Sequence, residues 1–177
     1  MLRTAILRSA LVSAVLASGA ARGSDVPRIM AYVETLTSPA FAGRGAGGPD
    51  EQARADSLAS WLAAAGFAPA FAGTWWQPFP LEGEGWAGQP LAGRTGRNVA
   101  GSLPGAGALA DRWIVLGAHH DHLGRVAAAA DDAPPPGPSD YYPGANDNAS
   151  GVAAVLGAAA DLAAHLPADG ARRGLLV

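Results

Sequence analysis

The sequence predicts an α/β fold, and three observations carry that prediction. Trp113-Ile114-Val115-Leu116 is an uninterrupted apolar run, which suits a strand covered on both faces, as in a parallel or mixed sheet between helix layers. An alanine-rich segment from about Ala149 to Leu166, carrying Val152, Val155, Leu156 and Leu162, reads as a helix, and Arg173 to Val177 reads as another strand. Strand, loop, helix and strand in that order form a crossover unit. With 177 residues, 49% of them hydrophobic, the chain holds one domain at most and has enough apolar surface to bury a core.

The chain starts with Arg3 and Arg8, an apolar stretch from Ser9 to Leu16, and the small residues Ala17-Ser18-Gly19-Ala20-Ala21. This is the layout of a secretory signal peptide over 1–23, with cleavage near Ala21 or Gly23 and a secreted or periplasmic destination. The stretch is too short to span a bilayer, so no stable membrane insertion is expected after its removal. The remaining 24–177 reads as a single unit.

Ile29, Met30, Val33 and Leu36 recur at helical spacing and predict a short amphipathic helix from Pro27 to Leu36. Gly43-Arg44-Gly45-Ala46-Gly47-Gly48-Pro49 then breaks the chain. Asp50 is the expected N-cap of a second helix, whose apolar stripe is Leu58, Trp61, Leu62 and Ala65 and which ends at Gly66. Short aromatic or branched stretches from Thr74 to Leu81 and from Arg97 to Leu103, bounded by Gly and Pro, predict strands. Val126 to Pro143, with three successive prolines and Tyr141-Tyr142, is expected to be a long irregular surface loop shaping a pocket mouth.

Composition excludes several chemistries. All twelve basic residues are arginine, which removes a phosphate-binding P-loop and any Schiff-base lysine. No cysteine is present, so His, Asp and Glu are the available metal ligands. A net charge of -3 and a pI near 5.7 give no basic field for nucleic acid. Ser150 lacks the glycine setting of a nucleophile elbow because Asn148 occupies the first glycine position, and a calcium loop begun at Asn146 would need a glutamate where Gly157 stands.

Two stretches concentrate the remaining chemistry: Gly117-Ala118-His119-His120-Asp121-His122-Leu123-Gly124 and Gly144-Ala145-Asn146-Asp147-Asn148-Ala149-Ser150-Gly151. The first follows the apolar run, at the carboxyl end of a strand, where ligands bind in open α/β sheets. If the chain stays extended there, His119 and Asp121 face one side while His120 and His122 face the other. His119 with Asp121 makes a ligand and its orienting carboxylate; His120 with His122 could ligate directly. The second stretch opens a helix, where Asp147 either caps or shares a metal ion with a histidine.

Together the two stretches resemble the co-catalytic di-zinc exopeptidases that include bacterial leucyl aminopeptidases and the glutamate carboxypeptidase group. Fainter similarity runs through Ala42-Gly43-Arg44, the helix around Trp61, Gln77-Pro78 and Asn98 to Gly105. The resemblance implies a three-layer α/β/α fold with a mixed, mostly parallel sheet, two zinc ions and a peptide substrate cleaved at its terminus by metal-activated water. It makes His119 a ligand of one zinc, Asp147 the carboxylate bridging both, and Asp121 the site carboxylate that orients His119. His120 falls at a variable family position. The family's Glu-Glu pair, later Asp and distant His would follow the strand beginning near Arg173, and the sequence holds none of them. The chain is therefore expected to be an N-terminal portion, inactive alone, whose last strand leaves an open sheet edge. The alternatives are a single-zinc, glutaminyl cyclase-like enzyme and a non-catalytic peptidase-like binding domain.

Overall fold

Asp25 opens the first helix by accepting a hydrogen bond from the Arg28 N–H at 3.3 Å, and α1 runs over Val26–Leu36. The computed structural model describes residues 25–126, 137, 139–167 and 170–177. The expected signal peptide and most of the long loop between Val126 and Pro143 lie outside the described residues. Among the described residues no helix is long and apolar enough to cross a membrane.

Helix α2 spans Glu51–Ala64. Asp50 stands at its N-cap position, but its carboxylate makes no capping bond and instead pairs with Arg54 at 2.7 Å. Short β1 (Ala68–Pro69) follows, then β2 (Trp76–Pro80), β3 (Thr95–Val99), β4 (Gly101–Leu103) and β5 (Trp113–Val115). Helix α3, Ser150–Ala164, leads to β6, Gly174–Leu176.

Strands β2 and β3 form a separate antiparallel pair, with Trp76 opposite Val99 and Pro80 opposite Thr95. The main sheet has the order β1-β4-β6-β5. Strands β5 and β6 are parallel and joined through α3, as the crossover pattern predicts, while β1 with β4 and β4 with β6 are antiparallel. The sheet is thus mixed, and among the described strands antiparallel pairing outnumbers parallel, contrary to the expected balance.

Two further expectations change. The final strand β6 is central, flanked by β4 and β5, so among the described strands the edges are β1 and β5. Nor is β5 covered on both faces: Trp113, Ile114 and Val115 are 45%, 41% and 66% exposed. An apolar run records a strand's need for cover, and the described residues supply only part of it.

The core lies where the three helices meet one face of the sheet. Leu36, Leu58, Leu62, Val152, Leu156 and Leu175 are buried together there. Tyr32 and Trp61 meet between α1 and α2 with ring centroids 4.7 Å apart and planes tilted by 46°. Arg28 reaches Asp161 at 3.1 Å between α1 and α3. Met30 and Leu162, expected on the buried stripes, are instead 47% and 40% exposed.

Candidate functional site

The candidate ligands sit on two irregular segments of the connection between β5 and α3, beyond the carboxyl end of β5. His119 follows β5 by four residues. Asp147 lies in a π-helical turn, Ala145–Ala149, directly before α3. Its backbone, φ -130° and ψ 90°, departs from helical values, and its carboxylate oxygens approach His119 and His122, so the capping reading does not describe it. Two glycines allow this. A Cβ on Gly144, whose φ is +59°, would meet His122 and the Asp147 carbonyl, and one on Gly151 would overlap the Asn148 side chain.

His119, Asp121 and Asp147 come together. The Nε2 atom of His119 is 3.3 Å from Asp147 Oδ1, and its Nδ1 is 3.4 Å from Asp121 Oδ1 and 3.2 Å from the Asp121 carbonyl. His122 joins from the other side, its Nδ1 3.5 Å from Asp147 Oδ2. The His122 N–H donates to the Arg44 carbonyl at 2.8 Å, and His122 bridges Gly45 in parallel pairing. His119 and His122 thus both reach Asp147, which strict alternation did not foresee. Burial lowers the His122 pKa, against the pull of Asp147.

His120 turns inward. Its Nδ1 accepts from Arg54 Nε at 3.0 Å, and its Nε2 lies 3.0 Å from the Arg97 carbonyl, which assigns the proton to Nε2. Both ring nitrogens are occupied, so His120 is no ligand. Burial and the adjacent Arg54 charge both push its pKa down, favouring the neutral ring.

Behind the ligands lie two buried arginines. Arg44 donates to five carbonyls: His120 at 3.1 Å, Leu36 at 2.8 Å, Pro143 at 2.7 Å, Gly144 at 2.8 Å and Asp147 at 3.2 Å. All five of its N–H groups are used, and both ligand-bearing segments hang from it. Burial lowers its pKa, and the Arg54 charge adds to this. Arg54 pairs with Asp50, Glu51 and His120, while Glu51 also accepts from the Arg97 and Gly47 N–H groups at 3.0 and 3.2 Å. Burial raises the Asp50 pKa, opposed by Arg54. The arginine network was not anticipated. Its one sequence signal is that Glu51, Arg54, Ala55, Leu58 and Leu62 form a single helical stripe, with charges at positions that should be apolar.

The donor set fits zinc in part. Two ligands of one tetrahedral zinc at about 2.0–2.1 Å stand about 3.3 Å apart. The His119 to Asp147 separation matches that spacing. Among the described residues, however, no group of three or more His, Asp or Glu is arranged to hold a metal ion.

Residues 98–174 match the model of Peptidase family M28. The fold is similar to that of a leucine aminopeptidase precursor from Bacteroides thetaiotaomicron, at 20% identity and a TM-score of 0.52. It is also similar to glutaminyl cyclases from Tannerella forsythia, at 20% and 0.54, and from Bacteroides thetaiotaomicron, at 20% and 0.52. Each likeness covers 86% of this chain, which in turn spans 45% of each of those chains. No curated protein sequence matches the chain.

Proposed function

We propose that the chain is the N-terminal portion of an exported, zinc-dependent exopeptidase of aminopeptidase type, acting on terminal peptide bonds. The observation that carries the reading is the 3.3 Å approach of His119 Nε2 to Asp147 Oδ1 inside a family M28 match. In this reading His119 and Asp147 are zinc ligands, Asp147 bridges two ions, and Asp121 holds the His119 ring through Nδ1. A carboxylate or carbonyl on the far nitrogen of a metal-bound imidazole fixes its tautomer and raises its basicity. When bound, zinc supplies Lewis acidity at the scissile carbonyl. Glutaminyl cyclisation is the second reading, favoured by the two cyclases of similar fold; it differs in using a single ion.

Zinc titration of the chain against a chromogenic chelator tests the ligand assignment. His119→Ala and Asp147→Ala each weaken binding at least about tenfold, Asp121→Ala weakens it less, and His120→Ala leaves it unchanged. Equal zinc affinity in the chain and in the His119 and Asp147 variants would sink the reading.

A further inference from the structure

From the cavity beside the candidate ligands we infer that residues 81–94, the connection between β2 and β3, form a specificity arm. Its Trp86 and Leu91 receive the apolar side chain of the substrate residue next to the scissile bond. The inference rests on the exopeptidase reading and adds to it a residue that selects substrate. A cavity of about 300 Å³ has His119, His122 and Asp147 on one wall and Trp86 and Leu91 on another. That volume is within the range of small-ligand sites. A substrate whose reacting carbonyl reaches the imidazole and carboxylate groups thus shares its space with the Trp86 indole. The neighbouring cavity, about 320 Å³, shares His119 but reaches neither Asp147 nor Trp86.

The arm is built to hold that indole in place. Leu81 N–H donates to the Arg94 carbonyl at 3.0 Å, closing the base, while Leu91 N–H bonds Gly83 at 3.1 Å and Gly85 N–H bonds Gln89 at 2.8 Å. Leu91 packs over Gly85, where a Cβ would come within 3.3 Å of its methyl group. Trp86 meets Tyr142 edge to face, with centroids 6.5 Å apart and planes at 82°, yet remains 55% exposed. An indole held at one edge and open on its remaining surface gains by burial under an apolar ligand.

The test compares phenylalaninamide with glycinamide, binding to the zinc-supplemented full chain by ligand-observed NMR. Phenylalaninamide binds tighter by about fivefold or more, equivalent to burying a few tens of Å² of apolar surface. Trp86→Ala abolishes the preference, Trp86→Phe keeps most of it, and the distant Trp113→Ala keeps all of it. Equal affinity for the two amides, a preference that survives Trp86→Ala, or no phenylalaninamide binding at millimolar concentration would overturn the assignment. The chelator titration is a separate readout: zinc affinity insensitive to His119→Ala and Asp147→Ala removes the exopeptidase reading, whatever the amides do.

Discussion

Arg44 keeps its charge out of water by giving every N–H to a main-chain carbonyl, and those carbonyls come from three separate stretches of chain. Removing it leaves several buried acceptors without donors, each costing about 1–3 kcal/mol. Arg44→Met should therefore lower the unfolding free energy in urea by about 3 kcal/mol or more. Arg44→Lys, with three donors, should recover part of the loss; a change below about 0.5 kcal/mol in either variant would show that the carbonyls find other partners. The legibility of the site follows the same division. His119, Asp121 and Asp147 could be singled out because their chemistry is written in their own short stretches. The role of Arg44 could not, since its partners lie 8 to 103 residues away and are backbone atoms with no residue signature. His122 was misplaced for a related reason: alternation of side chains holds along a regular strand, and β5 already ends at Val115.

Among the elements, the helices and the crossover were readable because periodicity is local. The α3 stripe shows how far that goes. Leu156 is 5% exposed in the core, whereas Leu162, six residues on and about 120° round the helix from it, is 40% exposed. Leu156→Ala should cost about 2–5 kcal/mol in thermal or chemical denaturation and Leu162→Ala well under half of that, with equal costs contradicting the described packing. In α2 the stripe was readable but its chemistry was not, because Glu51 and Arg54 occupy buried positions that only their mutual pairing makes tolerable. The two-residue β1 carries no pattern at all. The 81–94 arm, rich in Gly and lacking periodicity, gave no hint that Trp86 would reach the site.

At the scale of the whole molecule, the β5 edge is the exposed part. Trp113, Ile114 and Val115 combine large apolar side chains with backbone unpaired on one side, the combination that templates association. Val115→Lys should raise the monomer fraction in sedimentation at micromolar concentration while leaving the melting temperature nearly unchanged; no shift in the monomer fraction would show that another surface governs association. The strand order depended on residues far apart in the chain: antiparallel pairing of β6 with β4 joins Leu175 to Leu103, a partnership that no local pattern encodes. The five bonds of Arg44 have a mechanical consequence at this scale. They couple the His119 segment and the Asp147 segment into one stiff unit, so neither can shift without the other. The cavity is thus framed on one side by segments fixed on Arg44 and on the other by the arm that carries Trp86, closed at the Leu81 to Arg94 base and set against Tyr142.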